Sequence, residues 1–308
     1  MITVQSIKEV LKKEISEDIL KNNFYEAMKD PKVKDLRDMI NIEDKDLYKY
    51  TSLLIDSSIE FNNCSNCKGL DNCQNQLKGY SYYPKVKENK LEFYYRSCKY
   101  LTSFEKNNAF KKNIDLYNVP INITNAKIKD IYADDKSRTE VLKYIVTYEK
   151  SYKKENLKGL YLSGNFGSGK TYLIAALFNE LAKKEVKSAI VYYPEFLRTL
   201  KSSFSSNEDG TFSDKYEYIR KIPLLLLDDI GAENVTAWGR DEILGTLLQY
   251  RMENNLPTFF TSNLTIEELE LHLSLGKDTI DKLKARRIIE RIKYLTIEMK
   301  LIGINRRN

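Results

Sequence analysis

The sequence predicts an α/β fold in which a five-stranded parallel sheet lies between helices and follows a small helical domain. Strand-like and helix-like segments alternate from about residue 137 onward, the pattern of a parallel sheet covered on both faces. Residues 1–62 instead carry apolar residues three and four positions apart, which is typical of helices. All four cysteines lie between these regions, from position 64 to position 98.

Length and composition indicate a folded protein of two domains. The chain has 308 residues, and domains typically contain about 100–200 residues. Charged residues make up 31%, with 12 Gly and 6 Pro, which argues against disordered, collagen-like and low-complexity proteins. The longest apolar run, residues 172–178, is far shorter than the about 20 residues that cross a bilayer. Charged residues are distributed through the first fifteen residues, where a signal peptide would need an uncharged apolar core. We therefore expect a cytoplasmic protein with no membrane partner.

The domain boundaries follow changes in sequence character. Asp30 and Pro31 separate two of the N-terminal helical segments, since aspartate can cap a new helix and proline suits its first turn. KGYSYYPKVK, ENK and LEFYYRSCKYL then predict a β-hairpin with a polar turn. We predict an N-terminal domain over 1–105, a polar linker and lead-in over 106–136, and the α/β domain over 137–308.

Five segments of the α/β domain have the apolar character of buried strands: KGLYLSG, KSAIVYYP, IPLLLLDDIG, LPTFFTSN and YLTIEMKLI. RTEVLKYIVTYEKSYK precedes the first of them with helical periodicity. The segments between strands are also helical, and in chain order they are KTYLIAALFNELAKK, PEFLRTLKSSF, DKYEYIRKI, AWGRDEILGTLLQYRMENN, TIEELELHL and TIDKLKARRIIERI. This alternation predicts parallel strands.

A glycine-rich segment after the first strand matches the phosphate-binding pattern GxxxxGK[ST]. Its glycines let the loop curl so that backbone N–H groups point at phosphate oxygens, and the following helix adds partial positive charge. Lys170 would contact the β- and γ-phosphates, and the Thr171 hydroxyl would bind Mg²⁺. The flanking strand and helix favour a nucleotide site over a chance glycine turn. The candidate residues are Gly164, Asn165, Phe166, Gly167, Ser168, Gly169, Lys170 and Thr171.

Two aspartates end the buried LLLL segment. Parallel sheets bind ligands at the carboxyl ends of their strands, where Asp228 and Asp229 are expected. Asp228 would hold Mg²⁺ through water, and Asp229 would polarise the attacking water, alone or together with Glu233. The alternative is a solvated acidic turn, which the upstream phosphate-binding loop disfavours.

Two later segments carry candidate contacts to the γ-phosphate. Asn263 follows the fourth strand, where its amide can bond the attacking water or the γ-phosphate; capping the next helix is the alternative role. Arg286, Arg287 and Arg291 share one predicted helix. An arginine placed across a subunit boundary can stabilise the charge of a transferring phosphate, although basic residues near helix ends are often surface groups.

The four cysteines, Cys64, Cys67, Cys73 and Cys98, predict a structural zinc site. Four thiolates in a short segment suit tetrahedral Zn²⁺. Two disulfides are the alternative, and a reducing compartment disfavours them. Four sulfur ligands leave no open coordination position, so the metal would stabilise a small fold or a partner surface.

GNFGSGKT, LLLLDDIGAE, TSN and ARRIIERIKYL together resemble the DnaC/DnaI/IstB branch of AAA+ ATPases, over nearly the whole chain. The cysteine-containing helical domain is similar to that of the primosomal helicase loaders in this branch. The resemblance implies an AAA+ P-loop ATPase core with ATP and Mg²⁺, whose slow hydrolysis acts as a switch. It further implies loading of the replicative helicase hexamer onto single-stranded DNA in replication initiation or restart. The N-terminal domain would bind the helicase, and the ATPase domain would self-associate on the helicase ring.

Position by position, the resemblance implies that Lys170 and Thr171 are the phosphate and Mg²⁺ ligands. Asp228 and Asp229 would be the acidic pair, and Asn263 would be the first sensor. Arg291 is the best match to the arginine finger and Arg287 the second. The chain departs from the usual AAA+ ending because only six residues, 303–308, follow the last predicted strand. Six residues are too few for a helical lid. A second-sensor arginine would have to be Arg306 or Arg307. The acidic pair also departs, since many AAA+ proteins have Asp-Glu there.

The net charge of +6 is spread evenly, so it permits contact with nucleic acid without requiring it. We expect single-stranded DNA to contact residues 201–221, where basic and aromatic side chains mix; an exposed helical hairpin of mixed charge is the alternative. The aromatic and basic candidates are Phe204, Tyr216, Tyr218, Arg220 and Lys221.

Three other functions fit parts of the pattern. An IstB-like transposition helper shares the ATPase motifs but generally lacks the cysteine domain. A P-loop small-molecule kinase would need an acceptor pocket and usually a mobile basic lid, neither of which is evident in the sequence. A zinc-stabilised adaptor would use its ATP site to change shape without turnover.

Overall fold

The computed structural model describes residues 17–88, 90–133, 135–152, 157–203, 209–274, 276, 278–303 and 305. The predicted helix VQSIKEVLKKEI lies outside the described residues, as do Phe204, Arg306 and Arg307. The chain divides into two compact units, one ending at Asn108 and one beginning at Ala109. Within the described part, no helix is both long and apolar enough to span a membrane.

The N-terminal unit consists of helices and one β-hairpin. Its described α-helices and strands are α1 Glu17–Ala27, α2 Pro31–Asp38, α3 Asp44–Leu47, α4 Thr51–Ser65, β1 Tyr80–Lys87, β2 Lys90–Ser97 and α5 Lys99–Asn108. The Asp30 side chain accepts a hydrogen bond from the Lys32 backbone N–H at 2.9 Å, and Pro31 is the first residue of α2, which confirms the predicted helix start. The two strands pair antiparallel, with Tyr80 opposite Ser97, so the hairpin is also confirmed.

Buried apolar side chains from both kinds of element form the core of this unit. Phe24, Leu47 and Leu54 are fully buried, and Leu91 of β2 joins them. The hairpin is therefore packed on the helices through an apolar contact, as a two-stranded sheet requires for stability.

Six strands of the described residues form the parallel sheet of the second unit. They are β3 Ile114–Tyr117, β4 Gly159–Gly164, β5 Ser188–Tyr192, β6 Leu224–Asp228, β7 Thr258–Ser262 and β8 Thr296–Leu301, in the order β3-β5-β6-β7-β4-β8. All five predicted strands are present, but the predicted number of five is wrong. The additional strand, β3, pairs with β5 at one edge and lies in the segment predicted as a linker.

Seven α-helices and one π-helix accompany this sheet in the described residues. They are α6 Lys136–Ser151, α7 Lys170–Lys183, α8 Tyr193–Ser203, α9 Asp209–Lys221, the π-helix Trp238–Gly245, α10 Thr246–Glu253, α11 Ile266–Leu273 and α12 Thr279–Leu295. The segment predicted as one helix after β6 is therefore a π-helix that continues into α10. Such π segments frequently lie at functional sites.

Buried residues cover both faces of the sheet, as the alternation of elements predicts. Leu225 and Leu227 of β6 belong to one apolar cluster, while Leu224 and Leu226 belong to a second. Successive side chains of a strand point to opposite faces, so these clusters lie on opposite sides. The carboxyl ends of β4, β6 and β7 consequently meet at one edge, where the polar residues described below are gathered.

Candidate nucleotide-binding site

The loop between β4 and α7 adopts a backbone conformation that requires glycine at three positions. Gly164, Gly167 and Gly169 have φ angles of 148°, 72° and 87°, which side-chain-bearing residues rarely adopt. A Cβ atom at Gly164 would also overlap the carbonyl oxygen of Leu301, and one at Gly167 would overlap the Asn305 side chain. The glycines of the predicted motif are therefore fixed by both backbone angle and close packing.

Lys170, the first residue of α7, is 8% exposed and connects the loop to the end of β7. Its Nζ donates hydrogen bonds to the carbonyl oxygens of Gly164 at 2.8 Å and Asn165 at 3.0 Å. It donates a third to Asn263 Oδ1 at 2.8 Å. The ammonium thus lies beside the phosphate-binding loop, within reach of the predicted sensor.

Asp228 brings three elements together at the carboxyl end of β6. Its Oδ1 accepts hydrogen bonds of 2.6 Å from the hydroxyls of Thr171 on α7 and Thr261 on β7. Burial raises the pKa of Asp228, and the two hydroxyl donors act in the opposite direction. The predicted Mg²⁺ ligands Thr171 and Asp228 are therefore adjacent, and both offer the oxygen ligands that Mg²⁺ prefers. The sequence reasoning missed Thr261.

Asp229 has a strained backbone, and its side chain is held by Asn263. Its φ of 59° is in the left-handed region, and such conformations cluster at functional sites. Its backbone N–H donates to Thr261 Oγ1 at 2.9 Å, and its Oδ1 accepts from Asn263 Nδ2 at 2.9 Å. The structure therefore brings the predicted base and the predicted sensor into direct contact.

One cavity of about 770 Å³ joins these groups. Lys170, Thr171, Asp228, Asp229 and Asn263 line it, together with several residues that the sequence reasoning missed. The additional lining residues are Asn122, Ile123, Asp130, Ile131, Tyr132, Arg138, Tyr172 and Tyr192. Five of these eight residues precede α6, in the segment predicted as a linker, and carry no recognisable motif. Their mixture of apolar, aromatic and amide side chains suits a nucleoside next to the phosphate loop.

Glu233, the proposed partner of Asp229 as base, lies outside the lining of this cavity. Its Oε2 accepts a hydrogen bond from the Gly231 backbone N–H at 2.7 Å, and its Oε1 is 3.9 Å from His272 Nε2. Burial raises the pKa of Glu233. The observed contacts therefore give Glu233 a role in holding the turn after β6.

The three arginines of α12 line a second cavity, of about 550 Å³. Arg291 Nη1 donates to the carbonyl oxygen of Gly245 at 2.7 Å, and burial lowers the pKa of Arg291. Arg286 and Arg287 are exposed. Among the described residues, the predicted finger arginines therefore do not line the cavity that holds Lys170 and Asp228. An arginine that acts across a subunit boundary is expected to lie away from the nucleotide site of its own chain.

The four cysteines are free of disulfide bonds and line one cavity of about 420 Å³ in the N-terminal unit. N–H groups donate to the sulfur atoms of Cys64, Cys73 and Cys98 at 3.3–3.4 Å. Nevertheless, among the described residues no group of three or more His, Cys, Asp or Glu side chains is arranged to hold a metal ion. The predicted zinc site is therefore not confirmed.

The described residues of the segment predicted to contact DNA lie in α8 and α9. The Tyr216 hydroxyl donates to the carbonyl oxygen of Ile243 at 3.0 Å, and Tyr218 donates to Asp115. Arg220 and Lys221 both pair with Glu217, at 2.8 and 2.7 Å. These contacts occupy polar groups that DNA would use, and the DNA surface stays a prediction.

Comparison with known proteins places this geometry in a family. Residues 136–300 match the model of the IstB-like ATP binding proteins. The replicative helicase loader DnaI of Bacillus subtilis (strain 168) is 38% identical over 271 residues, which span 87% of this chain and 86% of that protein. The replicative helicase loader DnaC of Escherichia coli (strain K12) is 24% identical over 42% of this chain and 51% of that protein. A crystal structure of DnaI, 42% identical, covers 64% of this chain and 99% of that chain, with a TM-score of 0.57.

Proposed function

We propose that this chain loads the replicative DNA helicase onto single-stranded DNA. The chain belongs to the family of IstB-like ATP binding proteins, whose model it matches over residues 136–300. The observation that carries the proposal is the 38% identity to DnaI over 87% of the chain. This match extends well beyond residues 136–300, to which the IstB-like ATP-binding model is confined. The function implies action in the cytoplasm, where the chromosome is replicated.

We assign the ATP-dependent step to the residues that meet at the edge of the sheet. Lys170 and the loop N–H groups would bind the phosphates, and Thr171 and Asp228 would hold Mg²⁺, which supplies charge neutralisation when bound. Asp229 would orient and deprotonate the attacking water, with Asn263 holding its carboxylate. We propose that hydrolysis acts as a timing switch for release of the helicase.

Self-association would complete the site. Arg291, with Arg287 as the second candidate, lies on α12 away from its own nucleotide cavity. On a helicase ring, a neighbouring copy would supply this arginine to the γ-phosphate. We further propose that the N-terminal unit binds the helicase and that residues 201–221 face the DNA.

We retain zinc as part of the proposal for the N-terminal unit. The support is the donor set itself: four free thiols around one cavity, with N–H groups directed at three of the sulfurs. Mass spectrometry under native and denaturing conditions tests it. A mass difference of one zinc ion that disappears in the Cys73→Ser variant is expected. Equal masses would overturn the zinc proposal and leave the loader proposal intact.

The loader function is tested by native mass spectrometry of the full chain mixed with the replicative helicase hexamer of the same organism, with and without ATP. We expect a complex whose population depends on ATP, and cross-links from the helicase to lysines of residues 17–108. Absence of any complex under both conditions would overturn the proposal.

Two alternative functions give different results in simple assays. A P-loop kinase would transfer the ATP phosphate to a metabolite, whereas we expect free phosphate on thin-layer chromatography. A transposition helper would bind a transposase and leave the helicase unbound. The match to DnaI over both units favours the loader.

A further inference from the structure

Arg138 is a buried cation next to the phosphate-binding loop. It is 3% exposed, and it lines the same cavity as Lys170 and Asp228. Its Nη1 donates a hydrogen bond to the carbonyl oxygen of Ser168 at 2.8 Å. Its Nη2 would lie 3.1 Å from a Cβ atom on Gly169, so the guanidinium packs directly on the loop backbone. Neither the phosphate-binding motif nor the family comparison assigns it a role.

The hydrogen bond to Ser168 constrains the neighbouring peptide group. The C=O of Ser168 and the N–H of Gly169 belong to one planar trans peptide and point in opposite directions. Holding that carbonyl therefore fixes the direction of the N–H. Phosphate binding in such loops depends on the directions of backbone N–H groups. Arg138 also places a second positive charge near the phosphate site, in addition to Lys170.

Other contacts hold Arg138 in place from two sides. The Asp135 side chain caps α6 and accepts a hydrogen bond from the Arg138 backbone N–H at 2.7 Å. The Ser137 hydroxyl exchanges hydrogen bonds with the backbone of Ile302, at 3.2 and 3.3 Å. A Cβ on Gly303 would lie 4.0 Å from Arg138 Nη1. The start of α6 and the segment after β8 therefore form a support around the guanidinium.

We propose that Arg138 is a positioning residue for the nucleotide phosphates: it holds the Ser168–Gly169 peptide in its phosphate-binding orientation and adds positive charge beside it. This inference rests on the proposed binding of ATP at the site. It predicts that Arg138 contributes to the affinity for nucleotides, which carry phosphate groups, and does not contribute to the affinity for the nucleoside alone.

Isothermal titration of ATP, ADP and adenosine into the full chain tests this inference. Arg138→Met keeps the length of the side chain and removes its charge and donors. We expect it to weaken ATP and ADP binding by roughly 10–100-fold, the equivalent of a hydrogen bond with a charged partner, and to leave adenosine binding unchanged. Arg138→Lys, which restores a charged donor, is expected to recover most of the affinity. Arg198→Met, at an exposed arginine paired only with Glu195 among its described salt bridges, is the matched control.

The outcomes separate this inference from the proposed function. If the wild-type chain fails to bind ATP, the proposed function fails. If the wild type binds and Arg138→Met binds ATP equally well, the inference alone is wrong. Equal losses for adenosine and ATP would also overturn it, because they would indicate general damage to the fold. Where Arg138→Met does not fold, Arg138→Lys decides: its loss of affinity, smaller than about 10-fold, is expected for ATP and ADP and not for adenosine, and equal affinities of Arg138→Lys and wild type for all three, or equal losses for all three, would contradict the inference.

Discussion

The Lys170 ammonium donates a hydrogen bond of 2.8 Å to the side-chain oxygen of Asn263. The amide nitrogen of the same Asn263 donates one of 2.9 Å to Asp229. One side chain therefore joins the phosphate-binding loop to the proposed base, and the opposite polarity of its two partners fixes the orientation of the amide. A γ-phosphate that attracts Lys170 would change the position of the Asn263 amide, and therefore the position of the Asp229 carboxylate.

The bridging amide leads to a prediction for Asn263→Ala. This change removes the contacts of Asn263 to Asp229 and to Lys170, but Lys170 keeps its hydrogen bonds to the loop carbonyl oxygens of Gly164 and Asn165. ADP binding is therefore expected to be unchanged. ATP turnover in the presence of helicase and DNA should fall by roughly 100–1,000-fold, as when one aligned donor is lost from a transition state. Single-turnover kinetics measure this effect. Turnover equal to the wild type would show that Asn263 takes no part in hydrolysis. The alternative role as cap of the next helix is wrong, because Thr265 is the N-cap of α11.

The two aspartates are expected to respond differently to amide substitution. Asp229→Asn removes the base but keeps the shape of the side chain, so ATP binding should persist while turnover falls by about 100–10,000-fold. Asp228→Asn removes a charge next to Thr171, so the dependence of ATP binding on Mg²⁺ should weaken. Titration of ATP with and without Mg²⁺ separates them. The assignment is wrong if Asp228→Asn keeps full Mg²⁺ dependence.

The arginines of α12 are distinguished by mixing variants. Arg291→Ala is expected to bind ATP normally but to lose about 1,000-fold in turnover when assembled on the helicase. A mixture with Lys170→Ala subunits should regain part of the activity, because the latter still donate Arg291 to their neighbours. Arg286→Ala, on the exposed side of the same helix, serves as the control. Loss of turnover in Arg287→Ala but not in Arg291→Ala would transfer the role to Arg287.

Arg251 is predicted to be important for stability rather than catalysis. Its fully buried guanidinium donates to the carbonyl oxygens of Ile222 and Pro257 and to the Thr258 hydroxyl, at 2.8–2.9 Å. Arg251→Met leaves these acceptors unpaired, which should lower the free energy of unfolding by about 3 kcal/mol or more. Urea denaturation measures the loss, with Arg198→Met expected to change it by less than about 0.5 kcal/mol. Equal stabilities of the two variants would contradict this role.

Much of the fold could be predicted because its signals are local. The segments LLLL and GLYLSG are apolar enough to indicate buried strands, and the cap at Asp30 depends on neighbouring residues. Strand β3 was missed because it has four residues in a polar region, and its pairing with β5 depends on residues some seventy positions away in the chain. The π-helix was missed because its side-chain pattern resembles that of an α-helix.

The sequence indicated those residues of the candidate site that belong to recognisable motifs. Gly167, Gly169, Lys170 and the two aspartates belong to motifs of fixed spacing and chemistry, and the structure brings them to one cavity. Tyr132 and Arg138 also line it, but nothing in their sequence context indicates a ligand. The sequence could not show where the Glu233 carboxylate lies, because its contact with the Gly231 backbone N–H depends on the conformation of the turn after β6. The base role of Asp229, alone or with Glu233, stays a prediction.

Calorimetric titration of Mg²⁺–ATP into the wild-type chain and into Lys170→Ala addresses the whole account most directly. Lys170 hydrogen-bonds both the loop and Asn263, and it is the side chain proposed to bind the phosphates. We predict saturable binding by the wild type at one site, and a loss of roughly 100-fold or more in the variant, as expected for a charge-assisted contact to phosphate. Binding of equal affinity to both proteins would contradict the assignment of the nucleotide site.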